Sequence, residues 1–241
     1  MKKLCVVCEG KTEVQLVYNL LYDRLSKSYT DIIPITLPTG KNQMGGVAKG
    51  GFRRFGGYAF ALKHIQNSIK LFNSCVFTTF FDLYNFPNDI GCYASAEKIT
   101  NPIIKAAKYE QQMELDIRKE LGDDIAFLPH VQPFESEAFL FVNPLISAME
   151  MGDSDQYVNK YENSMAEIRH RYQTPEHINA DKGPSKHLED IFPNYSKNKV
   201  GKGGFSWKAA KEIGINAICD ECEHFRKWIS RLECFVINSE P

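Results

Sequence analysis

Two acidic residues stand directly after predicted strands, at the end of a parallel sheet where ligands bind. Glu9 follows the short apolar run of residues 4–8, and Asp82 follows the apolar run of residues 75–81. Such runs are typical of strands buried on both faces of a sheet. In an open parallel sheet, ligands bind outside the carboxyl ends of the strands. We therefore expect Glu9 and Asp82 to converge, although they are far apart in the sequence.

Further acids are placed where they can join this pair. Glu13 lies one helical turn after Glu9, and Glu135 and Glu137 follow a fourth predicted strand over residues 125–131. Each acid also has an ordinary structural explanation, because carboxylates favour the first turn of a helix. Several carboxylates at one site need a counter-charge to stay ionised together. An all-oxygen set of ligands favours Mg²⁺ or Mn²⁺.

The elements that must position these acids alternate along the first half of the chain. Strands alternating with helices predict a mostly parallel α/β sheet flanked by helices. A strand over residues 32–37 contains Pro34 and is therefore expected at an edge, and Pro102 is expected to interrupt a helical stretch. After Glu137 the pattern is helical. We predict an α/β domain over residues 1–143 and a helical extension over residues 144–241 packed on it, or one compact domain.

A long glycine-rich segment over residues 39–57 carries a basic bias through Lys49, Arg53 and Arg54. Two interpretations remain open: a simple connection, or a loop that contacts the phosphates of a nucleic acid. Long loops in compact domains are often functional.

The composition is that of a soluble globular protein, with 43% hydrophobic and 24% charged residues and a formal net charge of −1. This charge gives no global attraction to nucleic acid, so any such binding needs a local basic patch. It is compatible with self-association as a homo-oligomer. No signal peptide or membrane span is expected, and seven scattered cysteines indicate reduced thiols in the cytoplasm. The pairs Cys5/Cys8 and Cys219/Cys222 are predicted to be buried thiols rather than zinc ligands.

Several segments resemble a known fold and family. VVCEGKTEVQLV resembles the opening motif of TOPRIM domains, and FFDLYNFPND stands where that fold has its Asp-x-Asp pair. Together with PFESEAFLF, GPSKHL and IGINAICDECEHFRKWISRLE, these segments resemble a bacterial TOPRIM-like family of unknown function, the DUF4276 type. Members of this family are often encoded beside an ATPase. The resemblance spans most of the chain in the right order.

The resemblance implies a TOPRIM fold, related to the nuclease domains of OLD-type defence proteins, which cut nucleic acid with metal ions. It implies a lysine that neutralises the phosphate, with Lys186 the first candidate and Lys197 the second. Tyr84 stands where the second Asp of the pair is expected, so a ligand is missing or Asp89 or one of the later glutamates replaces it. The implied metal ligands are Glu9, Glu13, Asp82, Glu135 and Glu137.

Together these observations predict a Mg²⁺-dependent nuclease that acts on DNA or RNA in bacterial defence or DNA maintenance, with an AAA- or ABC-type ATPase as partner. Glu9, Asp82 and Lys186 are the predicted catalytic residues, and Lys49, Arg53, Arg54 and Lys197 the predicted nucleic-acid contacts. Two alternatives remain: a non-catalytic TOPRIM module that binds nucleic acid or a partner, and another metal-dependent phosphotransferase. His130 is either a general base or a structural residue.

Overall fold

The computed structural model describes residues 2–38, 57–152, 154–179, 182–195 and 204–237. Four residues predicted to contact nucleic acid lie outside these ranges: Lys49, Arg53, Arg54 and Lys197.

A sheet of five strands forms the centre of the molecule. The strands are β1 (Lys3–Cys8), β2 (Asp31–Thr36), β3 (Val76–Asp82), β4 (Phe127–Leu128) and β5 (Val131–Gln132). The order is β2-β1-β3-β4, β5 also pairs with β3, and every pairing between these described strands is parallel. β2, which contains Pro34, lies at the edge as expected because proline cannot donate to a ladder. The predicted mostly parallel α/β fold is confirmed.

The fourth predicted strand is not continuous. It was expected over residues 125–131, but Pro129 separates β4 from β5 because proline has no backbone N–H for the ladder. The side chain of Thr79 bridges the gap: its hydroxyl donates to the His130 carbonyl at 2.8 Å and accepts from the His130 N–H at 2.9 Å. This exchange holds His130 firmly beside β3.

The helices begin with α1 (Lys11–Leu16), which passes through a π-helical segment (Val17–Leu21) into α2 (Tyr22–Leu25). Pro102 does not interrupt a helix but begins one, because the Asn101 side chain accepts from Ile103 N and Ile104 N and caps the end. The later helices are α3 (Gly57–Leu71), α4 (Tyr93–Ala96), α5 (Pro102–Leu121), α6 (Pro144–Met151), α7 (Val158–His170), α8 (Pro184–Ile191), α9 (Gly204–Ile213), α10 (Ile215–Glu221) and α11 (Glu223–Ile237).

The sheet is covered on both faces. One face packs against α3 and α5 through residues such as Ile65 and Met113. The other packs against α1, α2 and the helices after residue 143, and there Phe225 and Trp228 of α11 join the same core as Phe80. The Trp228 indole N–H donates to Thr78 Oγ1 on β3 at 2.8 Å, which satisfies a polar group at the centre of the molecule. The C-terminal helical part therefore shares its core with the sheet.

Replacing Tyr29 with Phe is expected to lower the free energy of unfolding by about 1 kcal/mol. The Tyr29 hydroxyl is buried and donates to the Leu232 carbonyl of α11 at 2.8 Å, so the change removes a bond between the two ends of the chain. Urea unfolding followed by circular dichroism measures the difference. Tyr18→Phe is the control, because Tyr18 is 53% exposed. Equal stability of the two variants would show that the Tyr29 bond contributes nothing.

The cysteines of the two CxxC pairs are buried, as predicted, and Cys5 and Cys8 belong to opposite faces of the sheet. Burial raises the pKa of Cys219 to about 11, so this thiol is protonated at neutral pH. Among the helices described here, none is both long enough and apolar enough to span a membrane.

Candidate functional site

Glu9 and Glu13 are held together at the carboxyl end of β1. Glu9 is half-buried directly after the strand, and Glu13 is buried in the first turn of α1. The Gly10 N–H donates to Glu13 Oε2 at 2.8 Å, so the helix turn brings this carboxylate back over the strand end. The bond also gives Glu13 the capping role that acids commonly have in a first turn.

Asp82 lies at the same edge of the sheet, on the neighbouring strand. The β1–β3 register pairs Cys8 with Phe80, so Glu9 is level with Phe81 and Asp82 is one residue further along. Adjacent strands lie roughly 4.8 Å apart. The fold thus places the backbones of Glu9 and Asp82 side by side, at the carboxyl ends of two central strands.

The segment after β5 closes over Asp82. The Ser136 N–H donates to Asp82 Oδ1 at 3.0 Å, and this bond fixes the orientation of the carboxylate. Glu135 and Glu137 flank Ser136 in the chain, and both side chains are buried. Glu137 Oε1 accepts from the Tyr195 hydroxyl at 3.3 Å. The backbone of both glutamates therefore lies next to the strand end that carries Asp82, while their side chains contact Ser185 and Tyr195.

Glu135 makes two hydrogen bonds to the start of α8. Its Oε2 accepts from Ser185 N at 2.9 Å, and its Oε1 accepts from Ser185 Oγ at 3.0 Å. Gly183 passes so close that a Cβ there would lie 2.4 Å from the Phe134 ring and 3.1 Å from Glu135 Oε2. These contacts fix the turn that precedes Lys186, so Glu135 has a positioning role whether or not it binds a metal.

Lys186 is exposed in the first turn of α8, beside this turn. Its ammonium group donates to Glu189 Oε2 at 2.6 Å, and this hydrogen bond raises the pKa of Lys186 above its ordinary value. The negative charges of Tyr84, when ionised, and Glu135 act in the same direction. The lysine is therefore a cation at the rim of the acidic site, paired with a neighbour on its own helix.

Replacing Ser185 with Ala is expected to lower the free energy of unfolding by about 1–2 kcal/mol, because a hydroxyl bound to a buried carboxylate is lost. Thermal unfolding in buffer without metal measures the loss. Ser164→Ala is the matched control, since the Ser164 hydroxyl is exposed and bonds only within its own helix. Equal effects in the two variants would contradict the positioning role of the Glu135–Ser185 contact.

Tyr84, which stands in place of the second acid, faces outward beside Phe134. The Tyr84 side chain is 47% exposed, and its ring centroid lies 5.2 Å from that of Phe134. Phe134 has a φ of 62°, a left-handed conformation that costs a bulky residue about 1–2 kcal/mol. The two rings line a cavity of about 250 Å³ together with Asn179. Asp89, an alternative ligand, instead caps α3 by accepting from Tyr58 N and Ala59 N.

The sequence did not single out a second polar cluster, formed by Glu110, His130 and His224. Glu110 Oε1 on α5 lies 2.8 Å from His224 Nε2 on α11 and 3.4 Å from His130 Nδ1. Burial alone would raise the pKa of Glu110, but hydrogen bonds and charges from the two histidines lower it to about 2. The sequence identifies His130 as a candidate general base or a structural residue, but not as a member of this cluster. Glu110 and His224 lie in amphipathic helices, and no local pattern distinguishes them from other polar residues there.

The fold and the site together define a class of protein: a mostly parallel α/β domain with acidic residues gathered at the carboxyl edge of its sheet. The DUF4276 domain of unknown function matches residues 8–233, so the chain belongs to the DUF4276 family. Among solved structures, the chain is similar to the C-terminal region of the Burkholderia pseudomallei OLD protein, with 16% identity and a TM-score of 0.47. That similarity covers 97% of this chain and 98% of the other. No curated protein matches the sequence.

Proposed function

We propose that the protein is a Mg²⁺- or Mn²⁺-dependent nuclease that hydrolyses phosphodiester bonds in DNA or RNA. The observation that carries the proposal is the position of two acids at the carboxyl edge of the sheet. Glu9 follows β1, Asp82 ends β3, and these two parallel strands are neighbours. This edge is where open α/β sheets bind their ligands.

The chemistry of the side chains at this edge fits a hard divalent cation. Glu9, Glu13 and Asp82 offer carboxylate oxygens, which are the ligands that Mg²⁺ and Mn²⁺ prefer. We propose these three residues, with Glu135 and Glu137, as the metal-binding set. A bound ion would polarise the phosphate and lower the pKa of a bound water molecule.

The residues of the chain have separable roles in this proposal. The Ser136 N–H holds Asp82 in one orientation, and the Glu135–Ser185 contact holds the turn before Lys186. The Lys186 ammonium, released from Glu189, would lie against the phosphate and neutralise charge that builds up in the transition state. Glu9, Asp82 and Lys186 are therefore the proposed catalytic residues.

The surroundings of the site support nucleic acid as the substrate. Tyr84 and Phe134 present aromatic rings beside the acidic edge, and aromatic rings stack on bases without regard to sequence. We propose further phosphate contacts from Lys49, Arg53, Arg54 and Lys197. These cations would supply the local positive charge that the net charge of −1 does not provide.

We further propose a role in bacterial defence or DNA maintenance, in the cytoplasm, together with an AAA- or ABC-type ATPase. This proposal rests on the segments that resemble the family, from EGKTE after β1 to GPSKHL at the start of α8. The division at residues 143 and 144 and a homo-oligomeric state are likewise proposals.

A cleavage assay tests the proposed activity. Plasmid DNA, single-stranded DNA and RNA are each incubated with the protein in Mg²⁺, in Mn²⁺ and in EDTA, alone and with a candidate AAA- or ABC-type ATPase. We expect metal-dependent cleavage of at least one substrate and its loss in Glu9→Gln. Glu120→Gln on α5 is the control, because Glu120 is exposed and remote from the sheet edge.

One alternative is favoured by a particular residue. Tyr84 replaces an acid, and a site with fewer ligands suits a module that binds nucleic acid or a partner without cutting. Retained nucleic-acid binding without cleavage in any metal, with or without the ATPase, would support this alternative and overturn the nuclease proposal.

A further inference from the structure

We propose that Glu110, His130 and His224 form a second metal site, specific for a transition metal such as Zn²⁺ and separate from the acidic edge of the sheet. One ligand atom from each residue lies within 4.8 Å of the other two. The residues come from α5, from the link between β4 and β5, and from α11. A bound ion would therefore connect three elements that are remote in the sequence. The inference does not depend on nuclease activity.

The spacing of the donor atoms suits a tetrahedral ion. Two ligands about 2.1 Å from a tetrahedral zinc ion are separated by about 3.4 Å. Glu110 Oε1 and His130 Nδ1 are 3.4 Å apart, and Glu110 Oε1 and His224 Nε2 are 2.8 Å apart. Moving the two side chains apart by about 0.6 Å would open the second pair to the required distance. Two imidazoles and one carboxylate make a common zinc set.

The hydrogen bonding of His130 leaves one ring nitrogen directed at this cluster. His130 is fully buried, and its Nε2 lies 3.3 Å from Gln132 Oε1, within hydrogen-bond reach. Its other ring nitrogen, Nδ1, lies 3.4 Å from Glu110 Oε1 and, in the tautomer protonated at Nε2, offers a lone pair to a metal ion. A cation bound between these two atoms would take one ligand from each of them.

The groups around the three ligands hold them as the outer shell of a metal site does. The Val131 N–H donates to Glu110 Oε1 at 2.8 Å, and Gln132 Oε1 lies 3.3 Å from the outer ring nitrogen of His130. Glu176, which is buried, accepts from the backbone N–H groups of His224 and Phe225 at 2.9 and 3.0 Å and fixes the start of α11. Its carboxylate also adds negative charge beside the cation.

The cluster has an edge through which an ion can enter. The Glu110 and His224 side chains are 12% and 8% exposed, whereas His130 is fully buried. Trp228, one turn after His224, stacks on the His130 ring with centroids 4.2 Å apart and planes 5° apart. An ion bound to His130 Nδ1 therefore lies close enough to Trp228 to quench its fluorescence.

Titration with Co²⁺ alone tests the site, because tetrahedral Co²⁺ absorbs visible light and quenches tryptophan. The protein is used as the full chain with Trp207→Phe, which leaves Trp228 as the single tryptophan of the two in the sequence. We expect one Co²⁺ per chain, with visible bands and quenching that saturate together and that one equivalent of Zn²⁺ reverses. Glu110→Gln and His224→Gln are expected to lose both signals.

Two controls separate this site from others. Asp82→Asn is expected to keep both signals, because the acidic edge does not contribute ligands, and His170→Gln on α7 is expected to keep them as well. If Glu110→Gln and His224→Gln fail to fold, the protein in which Glu110, His130 and His224 are unsubstituted still shows whether the site binds Co²⁺. Absence of saturable visible bands and quenching in that protein, or their loss in Asp82→Asn, would overturn the second site.

Discussion

Replacing Asp82 with Asn is expected to reduce metal-dependent cleavage by on the order of 10³-fold. Asn keeps the size of the side chain and its capacity to accept from Ser136 N, so the local fold should persist. It removes the negative charge that attracts a divalent cation to the end of β3. Initial rates at saturating Mn²⁺, on whichever nucleic acid the wild-type protein cuts, measure the loss.

Two variants provide controls for this prediction. Asp124→Asn removes an exposed carboxylate in the turn after α5 and should leave the rate unchanged. Asp89→Asn removes one of the two carboxylate acceptors that cap α3 and should lower thermal stability more than activity. A rate for Asp82→Asn within about tenfold of the wild type would exclude Asp82 as a metal ligand, since loss of an essential ligand costs more than this.

Replacing Glu110 with Ala is expected to lower the free energy of unfolding by about 3–5 kcal/mol, as is usual when one partner of a buried charged cluster is removed. The change leaves the Val131 N–H without its acceptor and His224 without its counter-charge. Urea unfolding in EDTA measures the loss without any contribution from bound metal.

The same cluster predicts a dependence on pH. The ordinary pKa of Glu110 is 4.5, and the histidines hold it at about 2 in the folded state. A carboxylate with a lowered pKa contributes stability that is present above 4.5 and is lost as the pH falls toward 2. Burial lowers the pKa of His224, but the hydrogen bond and charge of Glu110 raise it, and the net result is a raised pKa. The stability that protonated His224 contributes is therefore lost as the pH rises through this raised pKa. Glu110→Gln should weaken both dependences.

Glu114→Ala is the matched control for Glu110. It lies one turn further along α5, and its ion pair with Arg118 is partly exposed on both sides. Removing such a pair costs about 0.3–0.5 kcal/mol. Glu110→Ala and Glu114→Ala variants that lose similar free energies of unfolding would contradict a buried charged cluster between α5 and α11. A loss of stability at low pH that Glu110→Gln leaves unchanged would contradict it as well.

Local sequence patterns predict those parts of the fold that local physics determines. The apolar runs before Glu9 and Asp82 predict two central strands, because a strand buried on both faces needs such a run. Two predictions fail at prolines: Pro102 does not interrupt a helix, and the fourth strand is not continuous across Pro129. Asn101 caps the helix that Pro102 begins, and Thr79 bridges the gap at Pro129.

The parts that sequence reasoning could not predict depend on contacts between remote residues. Ser185 contacts Glu135 across 50 positions, and His224 contacts Glu110 across 114. Neither contact has a spacing that a strand or helix period would reveal. Glu9 and Asp82 could be predicted at one edge, because the carboxyl ends of parallel strands meet there. The roles of Ser136 and Ser185 follow only from the path of the chain after β5.

A crystal of the protein grown with Mn²⁺ tests most directly whether the acidic edge holds a divalent cation. Anomalous scattering distinguishes manganese from the lighter atoms of the protein. We expect a peak about 2.1–2.2 Å from carboxylate oxygens of both Glu9 and Asp82, typical of an ion with oxygen ligands, and its disappearance in Glu9→Gln crystals. Two side chains that point away from each other, with no manganese between the ends of β1 and β3, would contradict the proposed site and the nuclease activity built on it.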